Sequence, residues 1–366
     1  MSVRRPTVWE HARLQGYSRR DFMKFCSWMA AAAGIHGSGL PQVVRALETK
    51  PRPPVVWLHL QECTCCSESF LRSQQPMVAD ILLDMISLDY SELLQAAAGR
   101  QAEAVLERTL EENRGEYLLM IEGSVPTGAG GVYCCIGGRT AQQVLAEAAA
   151  GAKAVIAWGS CASNGCVQAA RPNPTGAAAV PDLVAGKTII RVPGCPPNSR
   201  VMAGTIIHLL AFERIPPLDA LGRPKAFYSR RVHDDCARLP DYEVGRFAKA
   251  FDDESARRGH CLYHLGCRGP VTYNACGVLQ WNGGLGNEVT AGHGCLGCSE
   301  AGFWDRGSFY VQTAGMPGSG LGTAAGAVGA VVAAGAAIGL AGRMIRARRG
   351  ARPTAGSDLA NSGKEA

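Results

Sequence analysis

Val55-Val56-Trp57-Leu58-His59-Leu60-Gln61-Glu62-Cys63-Thr64-Cys65-Cys66 is the stretch that decides the fold of this chain. The run 55–60, enriched in Val and Trp and bounded by Pro53-Pro54 and by polar Gln61-Glu62, reads as a short buried strand. Three thiols within four residues therefore sit where that strand ends. Two more apolar runs close in the same way. Ala154-Val155-Ile156-Ala157-Trp158 leads into Gly159-Ser160-Cys161, with Cys166 five residues on, and Thr188-Ile189-Ile190-Arg191-Val192 leads into Pro193-Gly194-Cys195-Pro196-Pro197. In an open parallel sheet, ligands bind in the crevice beyond the carboxyl ends of the strands. Six thiols would meet there, and that many soft donors suit an iron–sulfur cluster better than a single ion.

Around these runs, strands alternate with helical patterns. A further strand is expected at 116–121 and helices at 93–110, 141–150 and 201–212, the last with Ser199 as N-cap. The alternation predicts an α/β, flavodoxin-like parallel-sheet domain over 47–217. Gly128-Ala129-Gly130-Gly131 reads as a turn, and Ile215-Pro216-Pro217 marks the domain boundary. From 218 to 315 secondary-structure signals are sparse while glycine, cysteine and aromatics are frequent. A smaller, irregular domain organised by bound clusters is expected there.

Disulfides explain the fifteen cysteines poorly, because Cys65-Cys66 and Cys134-Cys135 are adjacent pairs and 366 residues is far larger than a thiol-stapled scaffold. Cys295-x-x-Cys298 is a normal zinc half-site, yet one or two zinc ions leave many thiols unexplained. The C-terminal half divides into a four-ligand group, His233, Cys236, Cys261 and Cys267, and a three-thiol group, Cys276, Cys295 and Cys298. An imidazole in place of one thiolate removes negative charge from a cluster and tends to raise its potential.

The chain is 47% hydrophobic and 19% charged, enough for a sizeable core, and its net charge of +6 is carried by the ends. Residues 1–46 carry +5 and 343–366 carry +4, so the body is at −3, which argues against a nucleic-acid face. Ser18-Arg19-Arg20-Asp21-Phe22-Met23-Lys24, followed by a modest apolar stretch and Val44-Arg45-Ala46, fits a twin-arginine export signal over 1–46. Residues 321–341 hold no charge and precede Arg343, Arg346, Arg348 and Arg349. Linker and transmembrane anchor are expected at 316–342 and a basic cytoplasmic tail at 343–366.

Taken together, Cys63-Thr64-Cys65-Cys66-Ser67-Glu68-Ser69-Phe70, Glu122-Gly123-Ser124, Gly159-Ser160-Cys161-Ala162-Ser163, Pro193-Gly194-Cys195-Pro196-Pro197, His233-Asp234-Asp235-Cys236 and Gly292-His293-Gly294-Cys295-Leu296-Gly297-Cys298 resemble the small subunits of membrane-bound [NiFe] uptake hydrogenases. The resemblance runs along essentially the whole chain. It implies that Cys63, Cys66, Cys161 and Cys195 hold a proximal cluster. Cys65 and Cys166 match the two extra cysteines of the oxygen-tolerant branch, which has a [4Fe-3S] proximal cluster, so the cluster would be [4Fe-3S] or [4Fe-4S]. Glu122 is a further candidate iron ligand when that cluster is oxidised. It also implies a [4Fe-4S] distal cluster on His233, Cys236, Cys261 and Cys267, and a [3Fe-4S] medial cluster on Cys276, Cys295 and Cys298.

The implied partners are a NiFe-containing large subunit, which carries the catalytic site, and a membrane cytochrome b that passes electrons to quinone. The implied location is the periplasmic face of the inner membrane, and no residue of this chain need act on hydrogen itself. Cys26 falls in the signal, and Cys134-Cys135 read as buried small residues. One departure stands out. Where relatives carry a proline near the medial cluster, this chain has Glu288; the expectation is a solvent-facing glutamate and a three-iron cluster, with carboxylate ligation as the alternative. Two rival readings are an iron–sulfur protein related to respiratory complex I and a zinc-structural or metal-storage protein.

Overall fold

The computed structural model describes residues 5–32, 35, 37–74 and 76–312. Five parallel strands form one sheet: β1 (Pro54–His59), β2 (Ser87–Ser91), β3 (Leu118–Glu122), β4 (Ala154–Trp158) and β5 (Ile189–Val192). Their spatial order is β2-β1-β3-β4-β5. This is the flavodoxin-like order, whose switch point lies between β1 and β3.

Residue alternation along the strands sorts the core into two faces. Val55, Trp57, Met120, Ile156, Trp158 and Ile190 point to one side, where α8 (Ser199–Phe212) supplies Val201, Met202, Ile206 and Ile207. Val56, Leu58, Leu119, Ile121, Val155 and Ala157 point to the other and meet Leu106 of α5 (Arg100–Glu112) and Val144, Leu145 and Ala148 of α6 (Ala141–Gly151). With both faces covered, the strands β1, β3 and β4 are buried at every position.

Three N-terminal helices lie on the first face: α1 (Val8–Leu14), α2 (Arg19–Ala32) and α3 (Leu40–Thr49). Phe22, Cys26 and Met29 of α2 are buried in the same core as α8, and Arg19 pairs with Glu48 on α3. The residues read as an export signal are thus folded against the sheet domain.

Helix α5 begins at Arg100 rather than near residue 93, because Gly99 has φ +56 and breaks the helix. The cap of α8 is Asn198, whose side chain accepts from the Arg200 N–H at 2.9 Å, and not Ser199. Between 218 and 312 the described residues form no strand of the sheets, only helical turns of three to five residues. The third core is correspondingly small and includes Cys267, Cys276 and Cys295. No helix among the described residues is long and apolar enough to cross a membrane, and the span expected at 321–341 lies outside them.

Candidate metal-cluster sites

All six thiols of the first group meet at the carboxyl ends of β1, β4 and β5. Thr64, at φ +66, turns the chain out of β1 into helix α4 (Cys65–Leu71) without capping it. The cap comes from β3 instead. Glu122 accepts the Cys66 N–H on Oε1 at 2.9 Å, and on Oε2 the Ser67 N–H at 3.0 Å and the Ser67 hydroxyl at 2.6 Å. Burial raises the carboxyl pKa of Glu122, and the bonds from Ser67 and Cys66 oppose that rise. His59 lies 3.6 Å away, but burial lowers its pKa to about 4, so the contact is with a neutral ring rather than an ion pair.

Gly159, at φ +77, opens helix α7 (Gly159–Asn164), which carries Cys161. A Cβ at Gly159 would lie 2.4 Å from the Cys66 sulfur, so this position must be bare. Cys166 follows the αL residue Gly165; its thiol is raised to about 12, first by its hydrogen bond with Cys161, and also contacts Cys195. Burial raises Cys63 to about 11, with Cys65 and Cys195 beside it. Burial also lifts Cys66, where the charges of Glu122, Cys63 and Cys195 add to it. The Trp304 indole N–H donates to the Cys166 sulfur at 3.3 Å, a partner from the far end of the chain that no local pattern signals. Cys63, Cys65 and Cys195 are exposed while Cys66, Cys161 and Cys166 are buried, so the group opens to one side.

The second group is equally compact. His233, Cys236, Cys261 and Cys267 line one cavity with Val232, Tyr263 and Val289. The His233 ring meets Tyr242 edge-on at 4.5 Å, and burial lowers its pKa, favouring the neutral imidazole that ligates metals. Cys236 accepts the Arg238 backbone N–H at 3.3 Å. In the third group Cys276 and Cys298 line a cavity of about 620 Å³ that also borders Cys195. Cys295 does not line it, but burial and the Glu288 charge raise its thiol as they do that of Cys276. A cavity of similar size, about 680 Å³, lies at the opposite ends of the strands by Pro54, Leu118 and Ala154 and contains no cysteine; size alone does not locate the site.

The three groups are joined in order. Cys195 and Cys298 line the same cavity, and the Cys295 N–H donates to the Cys267 sulfur at 3.3 Å. The donor chemistry fits iron–sulfur clusters: soft thiols, mostly buried, with N–H donors aimed at sulfur. Raised thiols stay protonated until a metal displaces the proton. Among the described residues no three His, Cys, Asp or Glu side chains meet closely enough to share one ion.

Sequence reasoning misplaced two features. Cys135 is exposed and Cys134 only half-buried, because they sit at a two-residue hairpin, Cys135–Ile136 with Arg139–Thr140, rather than inside the core. Glu288, expected to face solvent, is half-buried. It lines the third group's cavity with Cys276 and Cys298.

Residues 63–209 match the family described as NADH ubiquinone oxidoreductase, 20 Kd subunit, a match that by itself leaves the complex I rival standing. Residues 228–311 match the family described as the C-terminal part of the NiFe/NiFeSe hydrogenase small subunit. The uptake hydrogenase small subunit of Afipia carboxidovorans is 53% identical over 90% of this chain and 90% of its own length. That of Cupriavidus necator is 53% identical, covering 90% and 94%. The chain belongs to the uptake hydrogenase small-subunit family. Solved relatives share its fold: the [NiFeSe]-hydrogenase chain of Dm. baculatum, 34% identical, superposes with a TM-score of 0.67 over 72% of this chain and all of that one. The actinobacterial-type NiFe-hydrogenase chain of Ralstonia eutropha H16, 25% identical, gives 0.67 over 86% and 96%. This small subunit is thus part of a NiFe hydrogenase, an oxidoreductase, and small subunits of this kind carry iron–sulfur clusters.

Proposed function

We propose that this small subunit relays electrons from hydrogen oxidation in a NiFe large subunit to a membrane cytochrome b and quinone. The observation that supports this is the contiguity of three ligand groups: Cys195 and Cys298 line one cavity, and the Cys295 N–H donates to the Cys267 sulfur. Three clusters bound there supply one-electron redox steps, proximal, medial and distal in that order. The chain's own residues bind and tune them. Cys63, Cys66, Cys161 and Cys195 hold the proximal cluster, whose exposed side at Cys63, Cys65 and Cys195 suits docking of the large subunit. Cys276, Cys295 and Cys298 hold the medial cluster, and His233, Cys236, Cys261 and Cys267 the distal one. Peptide and indole N–H groups on the sulfurs of Cys236, Cys267 and Cys166 offset thiolate charge.

The reading includes export through Arg19-Arg20 to the periplasmic face and anchoring by 321–341. Truncation after Gly315 removes that anchor and no cluster ligand. The truncated heterodimer is expected to be soluble, to reduce an artificial dye with hydrogen, and to lose hydrogen-driven quinone reduction. Failure of both truncated and full-length heterodimers to reduce the dye refutes the relay; persistent membrane attachment of the truncated form refutes the anchor.

Cys65 and Cys166 belong to oxygen tolerance in this reading. Two added thiolates bring negative charge that favours a more oxidised proximal cluster. Cys65 and Cys166 would hold the cluster in a form that could supply electrons against arriving oxygen, and the Glu122 carboxylate, already beside Cys66, would be a candidate ligand to it. Replacing both cysteines with glycine is expected to leave anaerobic hydrogen oxidation largely intact and to abolish it in air. Equal inhibition of variant and wild type by oxygen counts against the assignment.

A further inference from the structure

Glu288 stands alone among the groups around the three-thiol cavity. Of the residues lining that cavity, it is the single charged side chain outside the cysteines, and no Lys, Arg or His lines it. Glu288 shares that lining with Cys276 and Cys298, two of the three thiols of the group. A carboxylate beside soft thiols, with no cationic side chain in the lining, is a donor set that a bound metal would complete.

The loop carrying Glu288 is held firmly. Asn287 is buried and donates from Nδ2 to the Cys276 carbonyl at 3.2 Å, tying the loop to a cluster residue. Its backbone N–H donates to Thr290 Oγ1 at 2.8 Å, and its Oδ1 accepts the Thr290 N–H at 2.9 Å. On the other side Val289 is buried, and the Glu288 carbonyl accepts the His293 N–H at 2.9 Å. Clamped between two buried neighbours, the Glu288 side chain is directed to the cavity.

We propose that Glu288 is a fourth protein ligand at the Cys276, Cys295 and Cys298 site and retains an additional iron there, giving a four-iron rather than a three-iron cluster. This rests on the cluster reading above. The carboxylate is a hard donor among soft thiolates. The iron it holds is therefore the most readily removed of the four, and a chelator takes it first.

The test uses the intact heterodimer as wild type, Glu288→Gln and Glu288→Cys, with iron and sulfide counted and EPR recorded on oxidised samples. Gln keeps the shape but is a poor iron ligand, whereas Cys supplies a thiolate. Wild type and Glu288→Cys are expected to share the same iron content. Glu288→Gln is expected to lose one iron per heterodimer, with unchanged sulfide, and to gain a three-iron EPR signal. Equal iron and identical spectra in wild type and Glu288→Gln overturn the proposal, whichever cluster type they show. Absence of inorganic sulfide from all three proteins would instead bring down the cluster reading itself, and this inference with it.

Discussion

Gly159→Ala is expected to empty the first thiol group of iron and to reduce hydrogen-driven dye reduction to background, while the sheet stays folded. Two effects act at this position. Its φ of +77 costs an L-residue about 1–2 kcal/mol, which a protein of this size survives. The steric effect is more serious, because the new methyl would lie 2.4 Å from the Cys66 sulfur and 3.5 Å from the Gly194 carbonyl. Cys66 cannot retreat, since it is buried and its N–H is held by Glu122. Its sulfur must rotate away from the other thiols. Gly186→Ala is the control: it has a similar φ of +74 but nothing within 4 Å of the new methyl. Iron counts and circular dichroism on both variants separate strain from collision. Wild-type iron in Gly159→Ala would mean that the sulfur has room after all.

Stripping the iron is expected to unfold residues 218–312 and to spare the sheet. The buried apolar side chains of that region, cysteines aside, are Phe227, Tyr228, Val232, Ala248, Leu262, Tyr263, Leu265, Val289 and Phe303. Nine apolar side chains, at up to roughly 1.5–3 kcal/mol each, do not offset the ordering of so long a stretch with so little regular structure. Its ligands also lose their purpose without metal, since raised thiols such as Cys261, at about 12, become ordinary protonated side chains. The sheet domain keeps two large apolar cores that need no metal. Amide hydrogen exchange on loaded and iron-stripped protein is the measurement. Amides of 218–312 are expected to lose protection while those of β1, β3 and β4 retain it; full protection across 218–312 without iron would contradict this account.

The parts of the fold that were legible in the sequence are those where burial is two-sided. β1, β3, β4 and β5 are continuous apolar runs because helices cover both faces, and each fell within a residue or two of its expected place. β2 escaped, since Ser87-Leu88-Asp89-Tyr90-Ser91 is an edge strand with polar residues and no apolar run. The thiol groups were legible because cysteine spacing at strand ends is local information. Trp304 on Cys166, the Glu122 cap on α4 and the direction of Glu288 were not. Each depends on segments 56 to 138 residues apart or on a loop whose anchor, Asn287 on the Cys276 carbonyl, exists only after folding.

Cys295-Leu296-Gly297-Cys298 spans only four residues, yet its two ends face different neighbours: the Cys295 N–H donates to the Cys267 sulfur, and Cys298 shares a cavity with Cys195. Electron tunnelling falls off exponentially with distance, so in a relay built on these ligands this short segment acts as a ruler for two gaps at once. Lengthening it by a residue would slow both crossings together, and no compensating shift elsewhere could restore one without worsening the other. The Ser160 hydroxyl on the Cys298 carbonyl fastens that ruler to the sheet. Throughput, as much as stability, therefore forbids insertion between residues 295 and 298.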